Sequence, residues 1–181
     1  MAANGSSSPW YPGFKAAVFA LLAYNTAYYL FGRAWTQALD ALAWLTLLAL
    51  FALETGFDGR FRARAMAAIR GLRLTAAAAV GAAAIGYAYQ SEWLDAVNTG
   101  LWIAVVVLLE FEVRSPGAVA RRRGWFTATA TTLYAGLGAL VLVWAWRGDW
   151  FDAYDAALWL TAFAMIEMDV LQLSRGEAAV Y

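Results

Sequence analysis

The sequence contains no cysteine and no histidine, and only one of its 181 residues is a lysine, Lys15. The absence of cysteine excludes disulfides, thiolate metal sites, iron–sulfur clusters and a cysteine nucleophile. The absence of histidine removes the commonest general base and the usual haem and transition-metal ligand. We therefore expect no cofactor and no transition-metal site, while binding of hard cations through carboxylate oxygens stays open.

Charged residues are scarce as well, at 14% of the chain, which is about half of the share in an average soluble domain. Hydrophobic residues make up 63%, and 13 basic residues balance 13 acidic ones. This composition argues against a soluble globular domain, a disordered chain and a nucleic-acid binder that uses a basic surface. We interpret the chain as an all-α integral membrane protein embedded in the lipid bilayer.

Long uncharged runs predict where the chain crosses the membrane. Three of them approach or exceed the ~17–25 residues that span a bilayer, and they cover residues 16–32, 74–91 and 124–146. Three shorter runs lie at 41–53, 96–109 and 156–166, and they reach spanning length once the carboxylates at their ends are included. The sequence thus predicts six transmembrane helices in a domain over 14–174, with polar tails at 1–13 and 175–181.

Arginines predict the orientation of these helices. They cluster in the connections 55–73 and 114–125, whereas each of the other three connections holds at most one basic residue. The positive-inside rule places the two arginine-rich connections in the cytoplasm, together with both termini. In a bacterium the membrane would be the inner one. Six of the arginines are candidates for binding anionic lipid head groups: Arg60, Arg62, Arg64, Arg121, Arg122 and Arg123.

The chain also contains an internal repeat. Residues 35–54, 93–112 and 150–169 align without a gap, and two columns of this alignment hold tryptophan in all three segments: Trp35, Trp93 and Trp150, then Trp44, Trp102 and Trp159. A period of this length indicates one supersecondary unit copied in tandem. We predict three parallel helical hairpins, at roughly 14–54, 73–112 and 126–169. The alternative is that apolar helices with tryptophan at the membrane interface resemble one another without common origin.

The aligned segments share polar columns too. The third column holds Gln37, Asp95 and Asp152, the sixth holds Asp40, Asn98 and Asp155, and the last holds Glu54, Glu112 and Asp169. Positions fourteen apart differ by about 40° around a helix, so the sixth and last columns lie on nearly one face. If these faces meet at a common axis, the polar residues form two rings separated by an apolar stretch. The alternative is that the outer residues cap helix N-termini and the inner acids pair with loop arginines.

Three further polar residues lie deeper in the predicted spans. Glu110 and Glu167 each precede the last acidic column by two residues, and ionisable groups inside a bilayer are costly and usually functional. Glu110 has Arg114 four residues later, so an ion pair would explain it, whereas Glu167 has no basic residue three or four positions away. Asn25 is expected to form a hydrogen bond between helices.

These features favour a non-catalytic accessory or scaffold subunit of a larger membrane complex, with a membrane protein or a second copy of the chain as its partner. The alternative is a small cation or proton channel or transporter that uses the repeated acidic residues at the cytoplasmic ends of the predicted helices 2, 4 and 6. A lipid-acting enzyme with bound Mg²⁺ is disfavoured, because Glu167 and Asp169, like Glu110 and Glu112, point about 160° apart on a helix and cannot chelate one ion together. We expect no catalytic residue.

Overall fold

A computed structural model shows a helical chain. It describes the backbone of residues 10–56 and 63–178, and the side chains in these ranges except those of residues 52, 54–56, 63–64, 113 and 166–178. The two ranges contain seven helices and no strand: α1 (Tyr11–Phe31), α2 (Trp35–Gly56), α3 (Ala63–Tyr89), α4 (Trp93–Arg114), α5 (Pro116–Arg121), α6 (Arg123–Arg147) and α7 (Trp150–Ala178). The predicted all-α class is confirmed.

Two of the predicted connections contain helix. α3 begins at Ala63, so the arginines after that residue extend a helix rather than a loop. The reason is composition, since residues 63–73 consist mainly of Ala, Arg, Leu and Met, which are strong helix formers. The second connection contains the extra short helix α5, with Pro116 in its first turn, where a proline costs no hydrogen bond.

The six long helices form a closed ring. In chain order α1 contacts α2, α2 contacts α3, α3 contacts α4, α4 contacts α6 and α6 contacts α7, and α7 returns to contact α1. Glycines allow close approach at two of these contacts. A Cβ at Gly86 of α3 would lie 3.0 Å from Thr36 of α2, and one at Gly136 of α6 would lie 3.3 Å from Leu101 of α4. Small residues let membrane helices pack closely in this way.

Large side chains fill the centre of the ring. The rings of Trp102 and Phe163 lie 4.3 Å apart between centroids, and Trp44 lies 6.4 Å from Trp102 and 6.2 Å from Phe163. These three residues come from α4, α7 and α2, so side chains from three helices meet across the ring. Leu22 of α1 and Leu137 of α6 belong to the same buried cluster. The middle of the bundle is therefore a packed apolar core.

Three hairpin turns have the same backbone geometry. Each contains one residue in the left-handed region: Arg33 (φ 59°), Ser91 (φ 63°) and Gly148 (φ 85°). In each turn the next amide N–H donates to the carbonyl five residues earlier, over 2.9–3.0 Å: Ala34 to Tyr29, Glu92 to Tyr87 and Asp149 to Trp144. This hydrogen bond is the one that defines the Schellman motif at a helix C-terminus. The turns end α1, α3 and α6 in the same way and set the same starting direction for α2, α4 and α7.

Some helices of the bundle have the length and the apolar composition of membrane-spanning segments. Within the described ranges, three helical segments are long and apolar enough to cross a bilayer: Ala65–Tyr89, Trp93–Glu112 and Arg123–Arg147. Trp35–Phe51 is a shorter apolar helix. Large exposed aromatic side chains lie near helix ends, among them Trp125, Trp146 and Trp150, which is typical of residues at the membrane–water interface. The predicted association with a membrane is supported at this level.

Candidate functional site

Six polar side chains line one cavity at one end of the ring: Gln37 and Asp40 of α2, Asp95 and Asn98 of α4, and Asp152 and Asp155 of α7. These are the third and sixth residues of the three helices. Residues three apart share a helix face, so each helix turns one polar pair towards the same space. The cavity measures about 40 Å³ as the space open to centres of water molecules, which is room for roughly three waters.

Asp40 links α2 to two other helices. Its Oδ2 atom accepts a hydrogen bond of 2.9 Å from the Thr99 hydroxyl of α4 and one of 3.3 Å from the Tyr87 hydroxyl of α3. Thr99 is 1% exposed and Tyr87 3%, so both donors are shielded from solvent. Hydrogen bonds to a charged acceptor are stronger than bonds between neutral groups. Asp40 therefore fixes how the polar ends of α2, α3 and α4 meet.

Two aspartates of α7 link that helix to α1. The Asn25 amide donates to Asp155 Oδ1 over 2.6 Å, and the Tyr29 hydroxyl donates to Asp152 Oδ1 over 3.3 Å. The predicted hydrogen bond of Asn25 between helices is confirmed. These bonds lie at the contact where the chain's first and last helices close the ring.

The capping interpretation of the outer column is wrong. α2, α4 and α7 begin at tryptophans, so Asp40, Asn98 and Asp155 lie more than one turn inside their helices. The free N–H groups that a cap would satisfy belong to the first turn. The side chains of Asp40 and Asp155 instead accept hydrogen bonds from neighbouring helices.

Some buried side-chain oxygens around the cavity accept no hydrogen bond from the described residues. Asp40 Oδ1 and Asn98 Oδ1 are buried and have no hydrogen-bond partner among the described residues, and the same holds for Oδ1 of the nearby Asn25. A buried acceptor without a partner costs about 1–3 kcal/mol. Asp40 and Asn98 both line the cavity, so two of these three acceptors belong to residues of its wall.

Apart from Ala41 and Ala156, aromatic side chains form the rest of the lining. Trp44, Trp102, Trp159 and Phe163 lie on the core side of the polar residues, and Tyr29, Tyr87 and Trp144 come from the ends of α1, α3 and α6. The sequence analysis missed the last three. The signal was present, because each of them stands six residues before the first tryptophan column. Extending the gapless alignment upstream would have found them.

The charged residues in the described cavity lining are all acidic. Four of its residues are aspartates, and the described lining contains no lysine or arginine. Asp95 and Asp152 lie in the first turns of α4 and α7, where the helix dipole stabilises negative charge by about 0.3–1 kcal/mol. The dipoles thus offset part of the repulsion between carboxylates. A cleft lined by one sign of charge concentrates ions of the opposite sign.

The two inner acids with described side chains, Glu110 and Glu112, do not line this cavity. Glu110 is exposed and forms the predicted ion pair with Arg114, at 2.5 Å, which confirms the structural explanation of Glu110. Glu112 is also exposed. The side chains of Glu54, Glu167 and Asp169 lie outside the described residues, so their predicted ring stays a prediction.

Only three of the six arginines proposed to bind lipid head groups have described side chains. Arg121, Arg122 and Arg123 are exposed where α5 meets α6. Arg60 and Arg62 lie outside the described residues, and so does the side chain of Arg64. Lipid binding by these residues stays a prediction.

We predict that replacing Asn25 by valine lowers the stability of the bundle. Asn25 is 1% exposed, and the change leaves Asp155 without its 2.6 Å donor. The expected loss is about 1–2 kcal/mol, measured as a lower apparent melting temperature in detergent. The control is Thr46→Val, because Thr46 donates only within its own helix, to Leu42. Equal melting temperatures for the two variants would show that the Asn25–Asp155 bond does not stabilise the ring.

The cavity combines negative charge, free acceptors and aromatic surface, and each of these attracts cations. Its carboxylates are spread out, since no three acidic side chains among the described residues lie close enough together to hold one metal ion. The arrangement therefore suits a cation that contacts several spaced groups rather than one held in a compact carboxylate cage.

No family model, no curated protein and no solved structure matches the chain.

Proposed function

We propose that all six long helices span the membrane, as three copies of one helical hairpin around a common axis. Two kinds of observation support this. The three Schellman turns are spaced like the tryptophan columns, at 58 and then 57 residues. Residues with that spacing also have equivalent environments, since Leu22, Val80 and Leu137 are each 1–2% exposed. Unrelated hairpins would have no reason to agree in turn geometry, burial and cavity lining together.

We further propose that the cavity opens to the outside of the cell. The arginine-rich segments lie at the other end of the helices, and the positive-inside rule puts that end in the cytoplasm with both termini.

The missing cysteines allow a direct test of this orientation. Single cysteines at Glu92 and at Arg122, both exposed, place one thiol at each end of the bundle. We expect a membrane-impermeant maleimide to label Glu92→Cys in intact cells, and to label Arg122→Cys only after permeabilisation. The opposite labelling pattern would invert the proposed topology.

We infer that the protein binds cations in this cavity and conducts cations or protons, the alternative function raised by the sequence. The convergence of six repeat positions on one acidic cavity carries this inference. Rings of acidic side chains favour cations in channels. The accessory-subunit function gives no reason for four aspartates to face one another within one bundle.

The aromatic core below the cavity controls whether an ion can pass through the ring of helices. Trp44, Trp102 and Phe163 meet at the centre of the ring below the cavity, and hydrophobic constrictions gate channels by excluding water. We propose that an ion reaches the cavity from outside and crosses only when these rings move apart.

The test is ion flux in proteoliposomes. We expect Asp40→Asn and Asp155→Asn to reduce potassium or proton flux about tenfold, since each change removes one charge from the cavity at nearly constant shape. The matched control is Asp149→Asn, because Asp149 pairs with Arg147 on the surface of a turn and should not matter. Wild-type flux no higher than that of empty liposomes would refute the conducting function.

The accessory or scaffold function stays a prediction, and so does a partner protein or a second copy of the chain. Exposed aromatics such as Trp125 at 78% and Trp146 at 92% suit either lipid or a protein partner. Stoichiometric recovery of one membrane protein with the tagged chain from native membranes would favour this function, above all if flux is absent. Neither function involves catalysis.

A further inference from the structure

The acidic cavity also has an aromatic wall, and the two together restrict the kind of cation. Trp102 and Phe163 stack in the core, and both line the cavity. A small hydrated metal ion gains little from apolar ring surface. A cation with alkyl groups gains from it twice, through cation–π attraction and through burial of its CH₂ and CH₃ groups against the rings.

The spacing of the carboxylates also favours an organic cation over a bare metal ion. A bare metal ion needs oxygen ligands at 2.0–2.6 Å, and no three acidic groups in the described part of the chain converge to that degree. An ammonium group carries its positive charge on N–H bonds that point in different directions, so it can bond to acceptors that stand apart. Asp40 Oδ1 and Asn98 Oδ1 are two such acceptors without a partner among the described residues.

Both residues line the cavity. The terminal torsions of Asp and Asn are broad, so their side chains can adjust to a donor that enters it. The other carboxylate oxygen of Asp40 accepts from Thr99. An N–H group that bonds to such a buried acceptor removes the cost of leaving it without a partner, and an alkyl cation without N–H groups cannot supply that bond.

The size of the cavity sets an upper limit on the ligand. About 40 Å³ of space for water centres corresponds to roughly three waters, or about 90 Å³ of liquid volume. That is the size of an ammonium ion with one short alkyl chain. Long polyamines do not fit within this volume.

We propose that the cavity is a binding site for a small primary alkylammonium cation. The N–H groups bond to Asp40 and Asn98, the surrounding aspartates balance the charge, and the alkyl group lies on Trp102 and Phe163. The proposal rests on the proposed cation-binding function and names the chemical class of its ligand.

Calorimetric titration of the purified protein in detergent tests this proposal, with ethylammonium chloride and potassium chloride at equal ionic strength. We expect saturable binding of ethylammonium that is at least about tenfold tighter than binding of potassium. Asp40→Asn and Trp102→Leu should each weaken it about tenfold or more, and Asp149→Asn should leave it unchanged. Asp40→Asn is nearly isosteric, so it remains informative if Trp102→Leu fails to fold.

The other outcomes separate this proposal from the function on which it rests. Potassium binding as tight as ethylammonium binding would overturn the alkylammonium proposal and leave the cation function standing. Ethylammonium binding that Asp40→Asn does not weaken would place the ligand elsewhere and overturn the proposal. The absence of binding by either cation would overturn it too, and the liposome flux would then decide the proposed function by itself.

Discussion

A closed ring of six helices has one centre, and the inward faces of α2, α4 and α7 must be compatible with one another there. The side chains on these faces change from polar to aromatic along the ring axis. Near one end the three faces present aspartates and amides, which meet through Thr99, Tyr87 and Asn25 on neighbouring helices. One turn further the faces present aromatic rings, which pack together. The depth of each residue along its helix therefore decides whether it enters the polar cavity or the apolar core.

The turns maintain this register. Each turn has one residue in the left-handed region and one Schellman hydrogen bond, and each returning helix brings its third and sixth residues to the same cavity. At Arg33 and Ser91 this backbone costs about 1–2 kcal/mol, because those residues have a Cβ, whereas Gly148 adopts it freely. A turn one residue longer would rotate the following helix by about 100° and move its polar pair out of the cavity. The cavity thus depends on the turns as much as on the side chains that line it.

Several residues of the cavity stand in shared columns of the gapless sequence alignment. The third and sixth columns and the second tryptophan column line the cavity, whereas the first tryptophan column is exposed. Tyr29, Tyr87 and Trp144 could have been identified by extending the same alignment. The partners of these residues could not, because nothing in the pattern says that Asp40 meets Thr99 rather than Asn98. The capping error has a related cause. Acidic residues near a helix start resemble caps until the start is known, and here each helix begins at the tryptophan five residues earlier.

The most direct test of the account is whether the polar ends of α2 and α4 meet across the ring. Asp40 and Thr99 are joined by a 2.9 Å hydrogen bond, and the chain has no cysteine of its own. The variant Asp40→Cys/Thr99→Cys, treated with a short bis-methanethiosulfonate reagent, should therefore give an intramolecular cross-link in the monomer, read by mass spectrometry of its peptides. The control Leu39→Cys/Thr99→Cys should not, since Leu39 is 41% exposed and faces away from the centre. Equal cross-linking of the two pairs, or none in the first, would contradict the common axis on which the cavity depends.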